Sequence, residues 1–111
     1  MAQTNRLFDR ATAAVAIAYT LVVDGTYLIE AVRLHLSAAG GAVEDLTIAN
    51  NAFAGAAYDV VFDTTAMNLV TDVHWLPERP VPLTDGDVLT IAYANTNLRT
   101  YGLEVVYRRE V

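Results

Sequence analysis

The stretch Thr12–Val23, TAAVAIAYTLVV, sets Val15, Ile17, Tyr19 and Leu21 at every second position, with Ala14, Ala16, Ala18 and Thr20 between them. A period of two belongs to an extended strand, whose successive side chains leave on opposite faces. One face of this strand is large and apolar, and the other is small and uncharged. An outward face wetted by solvent ordinarily carries polar side chains. The expectation is that the alanine face meets another protein surface, and this reading makes Ala14, Ala16 and Ala18 candidate partner-binding residues.

The same alternation continues outward from this stretch. Strands are expected over Ala13–Val22, Tyr27–Ser37, Leu46–Asn50, Tyr58–Asp63, Val70–Leu76, Val88–Asn95 and Leu103–Arg109. Asp24-Gly25 is a hairpin turn pair. Thr64–Asn68 reads as a single helical turn. PERPVPLTDGD, residues 77–87, holds all 3 prolines and reads as a rigid crossing loop. Seven to eight antiparallel strands with closely spaced turn signals point to an all-β fold, a single jelly-roll-like β-sandwich over residues 12–111. The alternation selects Val15, Ile17, Tyr19, Val32, Leu34, Leu36, Leu46, Ile48, Val60, Phe62, Val73, Trp75, Leu89, Ile91, Leu103 and Val105 as its core.

Residues 1–11, MAQTNRLFDRA, are polar and aperiodic and read as an N-terminal arm. Such an arm is either a loose end or a tether to a partner. In the second case Phe8 is the anchor, and Arg6 and Arg10 meet acidic groups. No apolar leader-like segment is visible here, and nowhere does an apolar run reach the ~20 residues of a membrane span.

The 111 residues are 54% hydrophobic and 18% charged, with a mean hydropathy of +0.31. That is apolar for a lone soluble domain, and self-association or docking on a larger assembly would cover the excess. The net charge of −6 disfavours nucleic acid as a partner. Cysteine is absent, which removes disulfides, thiolate metal sites and cysteine nucleophiles.

No residue pattern carries reaction chemistry. Ser37 is the only serine and lies outside any nucleophile-elbow motif. Gly40-Gly41 lacks the lysine of a phosphate loop. Asp85-Gly86-Asp87 is too short in acids for a calcium loop and reads as a turn. His35 and His74 stand mid-strand without a second imidazole at i ± 2, although Asp72 could pair with His74. The expectation is a protein that is not an enzyme and uses no metal or cofactor. An alternative reading takes Trp75, Tyr93 and Tyr101 as an exposed aromatic platform for a carbohydrate.

From about Ala31 to Val105, about two-thirds of the chain, several phrases resemble one known group. They are RLHLSAAGGAVEDLTI, AYDVVF, the Trp75-x-Pro77 step, the PLTDGD turn from Pro82 to Asp87, and ANTN…YGLEV from Ala94 to Val105. The group is the small virion proteins of tailed bacteriophages called minor structural or head-decoration proteins. This resemblance implies a protein made in the host cytoplasm and carried on the capsid surface. It would be bound to the major capsid protein and to its own copies, often as a homotrimer. A tail or neck position, or a receptor-binding module of the tail, is the alternative location. The first dozen residues receive no role from the resemblance.

Overall fold

A computed structural model describes residues 6–110. These residues form nine strands: β1 (Arg6–Ala13), β2 (Ile17–Val22), β3 (Thr26–Leu36), β4 (Asp45–Asn51), β5 (Val60–Ala66), β6 (Asp72–Trp75), β7 (Val81–Thr84), β8 (Val88–Tyr93) and β9 (Tyr101–Glu110). A single 3-10 turn at Ala56–Tyr58 precedes β5.

The strands make two antiparallel sheets. One runs β1-β9-β3-β6, with β7 also paired to β3, and the other runs β2-β8-β4-β5. β6 lies along residues 32–35 of β3 and β7 along residues 26–29, so the two share one edge of that strand. Counted as one interrupted strand, they leave eight strands in jelly-roll-like order, in which every connection crosses between the sheets except that from β4 to β5. The prolines of Leu76–Pro80 explain the interruption, because a proline cannot donate to a ladder.

Inward-facing side chains of both sheets meet in one core. Ile29, Val32, Leu36, Leu46, Ile48, Leu89, Ile91 and Val105 are fully buried in it. Side contacts close the sandwich at its two flanks. On one flank the Tyr19 hydroxyl of β2 donates to Asp9 of β1. On the other, Phe62 of β5 stacks on Trp75 of β6 with ring centroids 5.6 Å apart. Burial and the Asp9 carboxylate both push the Tyr19 hydroxyl pKa up, so Tyr19 stays a donor.

Several expectations need correction. Of the expected arm, residues 1–5 lie outside the described residues, while Arg6–Ala11 is most of β1, paired with β9 over its whole length. The expected strand Ala13–Val22 is two strands, because Ala14–Ala16 carries the chain from one sheet to the other. Val15 sits at that corner, 58% exposed, and Val60 is 50% exposed at the start of β5. Thr64–Ala66 continues β5 where a helical turn was expected. Val81–Thr84, assigned to a crossing loop, is strand β7.

The core also holds residues outside the expected set, among them Tyr27, Ile29, Met67, Leu83, Tyr93 and Tyr101. Tyr27 and Ile29 follow from a register shift in β3 between Ile29 and Ala31. The extra residue, Glu30, reverses the alternation, so odd positions face inward before it and even ones after it.

Candidate interaction surfaces

The chemistry-bearing side chains lie on the two outer faces. Cross-strand partners in an antiparallel ladder share a face, and the register therefore maps each face.

On the β1-β9-β3 sheet the outer face carries two charge triads. Arg6 Nε lies 2.8 Å from Glu30 Oε1, and Arg108 Nε approaches the other oxygen of the same carboxylate at 3.3 Å. Arg10 Nε and Arg33 Nη1 lie 2.6 and 2.7 Å from the two oxygens of Glu104. The bulge at Glu30 aims that carboxylate outward, and β9 sets Glu104 between Arg10 of β1 and Arg33 of β3. Hydrogen bonds from Arg6 and Arg10 hold the Glu30 and Glu104 carboxyls below the usual range. Between the triads, Phe8, Val106 and Ala31 stand side by side. Val106 and Ala31 are buried, while Phe8 is half exposed with the Arg10 guanidinium 5.7 Å from its ring centroid.

The same face carries His35, whose Nδ1 pairs with Asp72 across the β3–β6 ladder rather than Asp72 pairing with His74. Arg33, His74, Gly102 and Glu104 complete a shallow depression around this pair. An imidazole and carboxylate could relay a proton, but no hydroxyl or thiol lines the depression to use it.

The outer face of the β2-β8-β4-β5 sheet is of another kind. Ala18, Thr20 and Val22 of β2 stand beside Ala92, Thr90 and Val88 of β8. Thr47, Ala49 and Asn51 of β4 follow, then Thr64 and Val61 of β5. None of these is charged; Asp45, opposite Ala66, marks the rim. The side chains are small, so the face is flat. At one end it passes into exposed Val22, Val61, Tyr58 and Phe53.

Phe53 is held there by the β7–β8 turn. Its ring lies over Gly86, where an added Cβ would come within 2.7 Å of it, and Gly86 has φ +86°. Its backbone N–H donates to Asp87 Oδ1 at 3.0 Å, and Thr84 N–H donates to Asp87 Oδ2 at 2.9 Å. Burial opposes the charge on Asp87, yet these hydrogen bonds keep its pKa below the ordinary value. Asp85 in turn accepts from Gly25 N–H at 3.0 Å. Both acids of the DGD turn thus bind backbone. Among the described residues no three His, Cys, Asp or Glu side chains gather as metal ligands.

The candidate residues separate accordingly. Arg6 and Arg10 do meet acidic groups, but these belong to their own chain. Ala18 lies on the neutral face, while Ala14 and Ala16 are exposed in the corner beside it. The aromatic platform does not form: Tyr93 and Tyr101 are 2% and 8% exposed, and Trp75 is half buried against Phe62. Sequence reasoning missed Asn95, which is buried at φ +49°. Its amide donates to the carbonyls of Val15 and Arg99, tying the sheet-crossing corner to the β8–β9 loop. An Asn where the chain must turn left-handed was the available signal.

No protein-family model matches the chain, and no curated protein matches its sequence.

Proposed function

We propose that this chain is a non-enzymatic structural subunit of a phage virion, a decoration or cement protein that binds the major capsid shell. The observation that supports it is the uncharged, flat outer face of the β2-β8-β4-β5 sheet, centred on Ala92 and Thr90. Covering that face with protein desolvates almost no charge, so little of the favourable apolar burial is lost. The phrases shared with head-decoration proteins favour the same reading. Their homotrimer, the capsid surface as location and the absence of catalysis belong to this proposal.

Co-sedimentation with capsid shells of the source phage tests it. The wild-type protein is expected to pellet with shells and Ala92→Glu to stay in the supernatant while folding normally. Equal pelleting of the two proteins, or no pelleting of either, counts against it.

A further inference from the structure

A sandwich with open sheets has edge strands, each with a row of unpaired backbone donors and acceptors that invites another strand. This molecule blunts its edges unequally. β1 carries Arg6, Asp9 and Arg10, with Asp9 pointing inward to Tyr19. β5 carries Asp63 on its inward side, and its pairing shifts register opposite Ile48 and Ala49. β6 and β7 are four residues each, and β7 contains Pro82. Inward charges, irregular pairing, shortness and proline are the known protections of an edge.

β2 has none of them. Its six residues, IAYTLV, include no charge, proline, glycine or bulge. Among the described residues no strand lies along its outer edge. The uncharged segment reaches beyond the strand, from Ala11 to Val23.

We infer that β2 pairs with β2 of a second copy, antiparallel about a two-fold axis at Thr20. An antiparallel ladder that keeps both sheets facing the same way must pair residues of like face. A two-fold axis then passes through a residue. At Thr20 it sets Thr20 opposite Thr20, Tyr19 opposite Leu21 and Ala18 opposite Val22. The outer row is small throughout, and the inner row continues the apolar layer. Two copies of a chain with net charge −6 meet here along an edge that bears no charge, the nearest carboxylate, Asp9 of β1, being bound to the Tyr19 hydroxyl. The product is one eight-stranded sheet whose neutral outer face is continuous across both copies.

The inference rests on the structural role proposed above and adds the contact between copies. An edge of six residues is ~20 Å long and ~10 Å deep, far below the ~800 Å² per partner of a stable complex. The dimer is therefore weak in solution and gains from repetition on a shell. Its two-fold symmetry gives pairs, and on this one point it replaces the homotrimer of the proposed function while keeping the structural role.

The chain has no cysteine, so a single introduced thiol reports unambiguously. With a short homobifunctional thiol reagent, Thr20→Cys is expected to cross-link to itself. Ala18→Cys should cross-link to Val22→Cys in a mixture but much less to itself. Thr64→Cys, on the β5 edge, should remain monomeric. Sedimentation of the untagged wild type should show a mass rising with concentration, and Thr20→Lys should abolish the rise without altering circular dichroism. Absence of Thr20→Cys cross-linking, or cross-linking of Thr64→Cys to the same extent, would overturn the pairing. These measurements use no capsid, so their failure leaves shell binding through Ala92 standing, and loss of shell binding leaves them standing.

Discussion

The two outer faces of the sandwich are built from ladders of the same kind and yet treat water in opposite ways. On the β1-β9-β3 sheet, Arg6, Arg108, Arg10 and Arg33 are bound to Glu30 and Glu104, on either side of buried Val106 and Ala31. That face is finished within the chain, since a partner would have to strip or replace ion pairs already made. On the β2-β8-β4-β5 sheet, threonine, alanine and valine leave nothing charged to desolvate and nothing long to immobilise. The difference teaches where apolar excess is stored. Part of it lies on the flat face and its Val22–Phe53 rim, whereas on the face that looks more like a binding site because of its arginines the half-exposed Phe8 sits among ion pairs.

The strongest test of this contrast uses two neighbours on β8. Ile91 is fully buried and Ala92 is exposed on the neutral face. Ile91→Ala is expected to cost about 2–5 kcal/mol. Ala92→Glu should stay within about 0.5 kcal/mol of wild type, as surface substitutions usually do. Urea unfolding measures both. A large loss for Ala92→Glu would mean that the neutral face is part of the monomer's own packing.

Next in size is the support of the apolar rim. Asp87→Ala would leave the N–H groups of Phe53 and Thr84 without their carboxylate, at a cost of about 1–3 kcal/mol. The release of Phe53 should raise its collisional quenching or its hydrogen-exchange rate at residues 52–55. Unchanged stability would show that the turn holds without this carboxylate.

The charged face should reveal itself through acid. Glu30, Glu104 and Asp87 all have pKa values lowered in the folded state. A lowered folded pKa gives stability that is complete above the unfolded value, ~4 for carboxylates. It is lost as pH falls through the folded value. Melting temperature should therefore fall as pH drops below ~4. The Glu30→Gln/Glu104→Gln protein should start a few degrees lower at neutral pH and fall less steeply. Parallel curves for the two proteins would mean that the triads add nothing to folding.

Much of this was legible in the sequence, and the failures have physical causes. Ile17, Leu34, Leu36, Leu46, Ile48, Leu89, Ile91, Leu103 and Val105 declared themselves by alternation, because each stands in a regular ladder with one wet face. Tyr27 and Ile29 did not, since the bulge at Glu30 inverts the phase within one strand. β1 was hidden for a related reason. Its outward row includes Phe8 and its inward row includes Asp9, so RLFDR has its polarity partly reversed. Tyr93 and Tyr101 read as surface aromatics, but their rings fill the core close to where the strands end. The neutral face was readable only one strand at a time. Ala18 hinted at it, while its extent over Ala92, Thr90, Ala49 and Val61 depends on pairings between residues distant in sequence.

The smallest expected effect is the most discriminating between the faces. Contacts made by exposed arginines weaken as salt shortens the screening length, from ~10 Å at 0.1 M to ~3 Å at 1 M. Contacts among alanine, threonine and valine contain no such term, and salts excluded from apolar surface tend to strengthen them. Shell binding through the neutral face should therefore hold constant or tighten slightly from dilute to near-molar sodium chloride. The four arginines of the other face give the opposite slope if they are the true contact, because their two glutamates leave each triad with one positive charge in excess. A co-sedimentation series in salt reads the sign directly. A steep loss of binding would move the docking surface from Ala92 to Arg10 and Arg33.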